Sequence, residues 1–156
     1  MRALGIDYGQ RRIGLALSDA SGMLARPWKT IARTGNPSQV AQAIAHELAS
    51  LEREEQPVGV VVIGYPRRLS GEASEQTARV SLVADCLRRL VPVPLVLQDE
   101  RLSSREADQL LARSEKDWRK RKAQLDAMAA AVILQDYLDS HVDANRRPPE
   151  NEDMDR

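Results

Sequence analysis

Gly5-Ile6-Asp7-Tyr8-Gly9-Gln10-Arg11-Arg12-Ile13-Gly14-Leu15-Ala16 is the stretch from which the fold is read. Alternation of period two places Leu4, Ile6 and Tyr8 on one face of a strand, and Gly5, Asp7 and Gly9 on the other. Asp7 is thus a carboxylate inside an otherwise buried-looking central strand. Ionised there, it requires a positive partner: a divalent metal, or Arg11 or Arg12 just past the turn. The plainer alternative is an Asp that only ties down the turn, a common duty of this residue. Gly9 permits a tight turn. Beyond it Ile13, Leu15 and Leu17 alternate with Gly14, Ala16 and Ser18. The result is a hairpin with one small-residue face, where a helix or a substrate backbone can come close.

Working outward, a third strand is expected from about Leu24 to Ala32, with Pro27 pointing to an edge position. Asn36 reads as a helix N-cap with Pro37 at the first helical position. Val40, Ile44, Leu48 and Leu51 follow at helical spacing, with His46 on the polar side as a surface residue. Glu52 to Glu55 and Pro57 end that helix. Val58-Gly59-Val60-Val61-Val62-Ile63 is continuously apolar and β-branched, as in a strand buried on both faces between parallel neighbours. It leads into Gly64-Tyr65-Pro66-Arg67-Arg68-Leu69-Ser70-Gly71. Ligands of open α/β sheets gather at the carboxyl ends of such strands. Arg67 and Arg68 therefore stand where a phosphate could be met, or are two solvated loop arginines.

Ala73, Thr77, Val80, Ala84, Leu87 and Val91 are spaced for one buried stripe of a second helix. Pro94 to Gln98 forms another strand and runs into Asp99-Glu100-Arg101. Only one of the two acids can share the inward direction, and alternation alone does not say which. Ser103 and Glu106 form a capping box that starts a short helix through Leu110 and Leu111. The most basic segment is Arg113 to Lys122, with Trp118 in its middle. Such a segment can track a phosphate backbone and stack a base. Lacking apolar periodicity, it also reads as a loop with Trp118 folded onto the core.

The last helix is expected from about Ala123 to Ser140. Asp126, Ala129, Ala130, Ile133 and Tyr137 share one face, widened by Leu125, Met128 and Val132. Asp126 then lies on the buried side in the first helical turn, where the helix terminus favours a negative charge by roughly 0.3–1 kcal/mol. After Val142 the chain becomes polar and Pro-rich. The expected division is a folded domain over 1–142 and a disordered acidic tail over 143–156.

With 156 residues, 42% hydrophobic and 29% charged, the chain suits one soluble domain with a full core. It has no run of eighteen apolar residues and no secretory h-region near its start, so neither a membrane span nor a signal peptide is expected. The single Cys86 cannot form an internal disulfide, and the expected compartment is the cytoplasm. Net charge is zero, but with the stretch from Glu150 to Arg156 set aside, 22 Lys and Arg face 19 Asp and Glu. Affinity for nucleic acid must then come from local basic patches and from metal rather than from an overall field.

Three carboxylates on buried sides thus come from separate elements: Asp7, Asp99 or Glu100, and Asp126. Like charges brought together in a low-dielectric cleft repel unless cations offset them. One or two hard divalent ions held by carboxylate oxygens are the economical arrangement. Two ions about 3.5–4 Å apart suit in-line phosphodiester hydrolysis, one activating water and the other stabilising the leaving oxygen. There is no Cys/His cluster for a structural zinc, and no G-x-x-x-x-G-K-[ST] motif.

Four blocks resemble the YqgF/RuvX family of bacterial RNase H-like proteins, related to Holliday-junction resolvases. They are Gly5-Ile6-Asp7-Tyr8-Gly9 through Arg12-Ile13-Gly14-Leu15-Ala16; Val62-Ile63-Gly64-Tyr65-Pro66 with Gly71; Asp99-Glu100-Arg101-Leu102-Ser103-Ser104; and Leu125 to Leu134. The third block is the most specific, since sugar kinases and actin-like ATPases share the first. The resemblance implies an α/β, RNase H-like fold: a central mixed five-stranded β-sheet with the first hairpin at its centre and helices on both faces. It implies a hydrolase, a metal-dependent endonuclease using Mg²⁺ or Mn²⁺ on structured RNA or branched DNA. By motif position it carries catalysis and metal binding onto Asp7, Glu100 and Asp126, with Asp99 as the neighbouring candidate ligand. Nucleic-acid contacts are expected from Arg11, Arg12, Arg67, Arg68, Arg101, Trp118, Arg119, Lys120, Arg121 and Lys122. Strand Val58–Ile63 ends in Gly64-Tyr65-Pro66, without the acid that classical resolvases place there. The expected activity is processing of the 5′ end of precursor 16S rRNA, in ribosome biogenesis. The alternatives are four-way-junction resolution, which needs a dimer, and metal-free RNA binding. Monomer and homodimer both remain open.

Overall fold

The computed structural model describes residues 1–9, 11–65, 75–99 and 118–146. Five strands form one sheet: β1 (Arg2–Tyr8), β2 (Arg12–Ser18), β3 (Ala25–Ala32), β4 (Val58–Tyr65) and β5 (Leu95–Asp99). Their order is β3-β2-β1-β4-β5, so the first hairpin is central, as the resemblance implies. β1 pairs antiparallel with β2 and parallel with β4; β2 pairs antiparallel with β3, and β4 parallel with β5. β3 is an edge strand, which Pro27 tolerates because no inward N–H is missed there. The register shifts between Leu15 and Ala16, whose partners are Lys29 and Pro27, leaving Trp28 as the extra residue.

Helices α1 (Pro37–Arg53), α2 (Glu75–Leu90) and α3 (Trp118–Arg146) complete the described architecture. α1 begins as expected. The Asn36 side chain accepts from the Gln39 backbone N–H at 2.9 Å, and the Gln39 side chain accepts from the Asn36 N–H at 2.9 Å. The large side chains of β1, β2 and β4 (Leu4, Ile6, Ile13, Leu15, Val61 and Ile63) pack with Val40, Ile44 and Leu48 of α1 and Val80, Val83 and Leu87 of α2. Each such side chain contributes about 1.5–3 kcal/mol on burial. The opposite face carries Ala3, Ala16 and Val62 and packs with Ala130, Ile133, Leu134 and Leu138 of α3. Val61 and Ile63 serve one core and Val62 the other, as a strand buried on both faces must.

Two boundaries differ from expectation. α3 starts at Trp118 rather than Ala123, so the basic positions 118–122 are helical and not a loop. Lys, Arg and Gln are good helix formers, and the well-packed alanine-rich turns behind them supply the nucleus. α3 also continues to Arg146, past the expected start of the tail at Asp143. The short helix expected from Ser103 to Leu111, positions 66–71 of the loop expected over Gly64–Gly71, the expected helical position Ala73 and the part of the expected tail from 147 to 156 lie outside the described residues.

Candidate active site

The small-residue face of the hairpin is where α3 comes down. A Cβ built on Gly5 would stand 2.7 Å from Leu134 Cβ and 2.9 Å from the Ala130 carbonyl oxygen. A Cβ on Gly14 would collide with the Asp126 carbonyl group. Glycine is therefore required at both positions for the helix backbone to lie directly on the sheet. This close approach positions the acids. Asp7 pairs with Gly14 across β1 and β2, and the backbone of Asp126 rests on that same Gly14. Asp126 Oδ1 lies 3.7 Å from the Cβ position of Gly9, the residue two beyond Asp7 on the same face. Asp7 is 6% exposed, a buried carboxylate at the carboxyl end of the central strand. Asp126 is half-buried at the rim of the α3 contact.

The location of Asp126 corrects one expectation. It lies eight residues after Trp118, in the third turn of α3 and not in the first. The helix dipole acts within the first turn, so it does not hold this charge. Its place is set by the contact between α3 and Gly14. The buried stripe of α3 also centres on Ala127, Ala130, Leu134 and Leu138, with Asp126 beside it.

The register separates the two candidate acids after β5. Tyr65 pairs with Asp99 and Ile63 with Leu97, so Asp99 falls on the sheet face of α1 and α2. Gln98 pairs with Gly64 on the other face. Ile6 pairs with Ile63, so the next row across the sheet on the α3 face is Gly14, Asp7, Gly64 and Gln98. The exposed Asp99 is therefore on the opposite face from Asp7. Glu100, Arg101, Arg67 and Arg68 lie outside the described residues. Arg11 is exposed in the turn after β1, and the half-buried Arg12 opens β2. Trp118, Arg119, Lys120, Arg121 and Lys122 occupy the opening turns of α3, before Asp126 in the helix.

One residue at this end escaped the sequence reading. Arg33 follows β3, and its guanidinium stacks 4.4 Å from the centre of the Tyr8 ring. Its Nη1 donates to the Gly9 carbonyl at 2.9 Å, and its backbone N–H donates to Arg11 at 3.2 Å. From α2, Gln76 Nε2 donates to the Tyr8 carbonyl at 2.6 Å. The backbone just after Asp7 is thus gripped from both sides. As a lone arginine in a loop, Arg33 carries no motif. Its signal was topological: an antiparallel β3 returns its far end to the β1–β2 turn.

Among the described residues no three His, Cys, Asp or Glu side chains group as a metal site. The donors present, Asp7 and Asp126, are hard carboxylates of the kind that suit Mg²⁺ or Mn²⁺. Two such carboxylates, brought to one end of the sheet from separate elements, form a donor set that fits this kind of cation.

Fold and acid placement define an RNase H-like α/β protein with acids at the carboxyl end of its central strand. The family model described as RuvX, Holliday junction resolvase, matches residues 1–140, and the chain belongs to that family. A relative in Syntrophus aciditrophicus is 40% identical over 140 residues, covering 90% of this chain and 89% of its own. One in Maridesulfovibrio salexigens is 41% identical over 138 residues, covering 88% and 98%. Both carry the provisional name pre-16S rRNA nuclease. The fold is also that of Thermus thermophilus RuvC, with a TM-score of 0.55 at 15% identity over 92% of this chain and 97% of that one. RuvC in complex with a Holliday junction substrate gives a TM-score of 0.54 at 16% identity, over 91% and 96%.

Proposed function

We propose that this chain is a divalent-metal-dependent endonuclease that processes the 5′ end of precursor 16S rRNA. The observation that carries the reading is the convergence of Asp7 and Asp126 on Gly14, from a central strand and a helix far away in sequence. The provisional name shared by its relatives supports the substrate.

Asp7 and Asp126 would hold the ion, and Glu100 is assigned as the third acid. That assignment follows the family resemblance of the Asp99-Glu100-Arg101 block. Asp99 is left out as a ligand because its pairing with Tyr65 puts it on the face of α1 and α2. Mg²⁺ or Mn²⁺ bound there would polarise the scissile phosphate and lower the pKa of an attacking water. The chain's own residues do the positioning. Burial keeps the Asp7 carboxylate in one orientation and excludes bulk water around it. Arg33 and Gln76 fix the backbone that follows it, so its oxygens return to the same place in each molecule. Arg11 and Arg12, at the turn after β1, supply positive charge at this end of the sheet that would draw in phosphates.

Incubation of the protein with precursor rRNA and Mg²⁺ or Mn²⁺ tests the proposal. Cleavage that needs the metal and disappears in Asp7→Asn supports it; metal-independent cleavage or undiminished Asp7→Asn activity overturns it. The family description favours a second reading, resolution of four-way DNA junctions. That reading needs two sites in a symmetric dimer, and side-by-side assay of a synthetic junction separates the two substrates.

A further inference from the structure

Gln98 stands in the same cross-strand row as Asp7 and has no part in the chemistry above. We propose that its side-chain amide donates a hydrogen bond to a phosphate oxygen of the substrate beside Asp7, an inference that rests on the nuclease reading of the acids.

Position is the first argument. Ile6 pairs with Ile63, so Gly64 is the neighbour of Asp7, and Gly64 pairs with Gln98. Val62 belongs to the core under α3, and its partner Val96 precedes Gln98 by two residues, so Gln98 leaves the sheet on the α3 face, as Asp7 does. Two strand spacings separate the backbones of Asp7 and Gln98, about 9.5 Å. Gly64 puts no side chain between them. One phosphate group, held by a hydrogen bond of about 2.9 Å, can bridge such a gap.

The helix leaves the same side available. On the β2 side of Asp7 the place is taken, because the backbone of Asp126 rests on Gly14. Among the described residues α3 lies across β1, β2 and β3 and only grazes β4 and β5. A substrate group that meets Asp7 thus has the Gly64 and Gln98 side to lie on. The other side chains that β4 and β5 send to this face are Val60, Val62 and Val96, all apolar. Leu97 and Asp99 leave on the opposite face.

Chemistry is the third argument. A primary amide is uncharged and carries two N–H donors. An arginine or lysine in this row would pair with Asp7 and compete with the cation for it; a further carboxylate would repel the phosphate. A neutral donor holds a phosphate oxygen and leaves the charge of the acids intact. Gln98 is half-buried, and among the described residues its side chain has no hydrogen-bond partner. An acceptor brought by the substrate would satisfy it.

The test uses the full chain carrying Asp7→Asn, with chelator present, so that bound strands are not cut. Labelled RNA and DNA strands of the precursor 16S 5′ region are bound in separate arms, and the tighter arm names the source of the phosphate. Gln98→Met keeps the length of the side chain and removes the donor. Affinity is expected to fall about tenfold, the worth of one hydrogen bond to a charged group. Gln98→Glu keeps the shape and makes the group repel phosphate, so the expected fall is larger. Methylphosphonate, in which a methyl group replaces one charged oxygen, is then introduced at one phosphate at a time. At one position it is expected to cost the Gln98 protein about tenfold and the Gln98→Met protein little, a coupling that a merely structural role does not produce. Thermal unfolding establishes that each variant is folded, and either variant alone suffices for the coupling measurement. No binding in either arm, unchanged affinity of a folded variant, or equal methylphosphonate losses with and without Gln98 overturns the inference. Metal-dependent cleavage of precursor rRNA by the chain with native Asp7 is followed in parallel. Cleavage with no Gln98 effect on binding removes the contact and leaves the nuclease; a coupled phosphate without cleavage leaves the contact and removes the nuclease.

Discussion

The two faces of the sheet are built on opposite rules. Towards α1 and α2 the strands present Leu4, Ile6, Ile13, Leu15, Val61 and Ile63, and the helices stand off on large side chains. Towards α3 they present Ala3, Gly5, Gly14 and Ala16, and the helix backbone touches the sheet. Volume makes the first face stable. The second gives up side-chain volume, and that loss lets a carboxylate on the sheet and one on a helix share a small space. Asp7 and Asp126 lie on the face with least room for error, so under the proposed function their placement depends on backbone position and not on core volume.

Predictions that separate the faces can be ranked by size. The largest effect belongs to Asp7→Asn, which removes charge without changing shape. Activity on precursor rRNA should fall by more than about a hundredfold, beyond what loss of a metal's outer-shell partner costs, while thermal unfolding shows a variant that is still cooperatively folded. Next is Gly14→Ala. Its methyl group meets the Asp126 carbonyl, so α3 must lift. The expected cost is about 3 kcal/mol in denaturant unfolding, at the upper end for overpacking, together with most of the activity. Ile44→Val, in the fully buried core under α1, should cost about 1 kcal/mol and leave activity per folded molecule unchanged. If Ile44→Val lowered activity as much as Gly14→Ala, the contrast between the faces would be lost.

Arg33→Lys tests the grip on the turn. It keeps the charge but removes the planar stack on Tyr8, an interaction of about 0.5–1 kcal/mol at such a site. A severalfold fall in cleavage rate is expected with little change in melting temperature. An unchanged rate would show that the turn needs no help.

Asp19 provides the smallest effect. It lies on neither face, in the exposed turn between β2 and β3. The Ser21 hydroxyl donates to its carboxylate at 2.6 Å, and the backbone N–H groups of Leu24 and Met23 donate at 3.1 and 2.9 Å. These bonds, that of Ser21 foremost, lower its pKa from the ordinary 3.8 to about 2. A depressed folded value contributes stability above the unfolded value and loses it as pH falls through the folded one. Any stability gap between wild type and Asp19→Asn should therefore be constant above about pH 4 and close towards pH 2. A gap unchanged by pH would mean that the hydroxyl and amide bonds do not depend on the charge.

Much of this was legible in the residues. The hairpin, the small-residue face, the Asn36-Pro37 helix start and the doubly buried β4 all follow from local periodicity, and their partners lie where the pattern points. The face taken by Asp99 was not legible, because alternation fixes parity but not which face is which; only the pairing of Tyr65 with Asp99 assigns it. The true start of α3 was hidden because a run of cations has no apolar period, although each is a good helix former. Arg33 was hidden because its role depends on where β3 returns. In each case the missing information is long-range pairing, which one-dimensional patterns do not carry.

The most direct test of the account is the cleavage of precursor 16S rRNA by wild type and by Asp126→Asn, with Mg²⁺ or Mn²⁺ supplied and withheld. Cutting at the 5′ region by the wild type alone, and only with metal, is the predicted result. Equal cutting by Asp126→Asn would contradict the claim that α3 brings its carboxylate to Asp7 for catalysis.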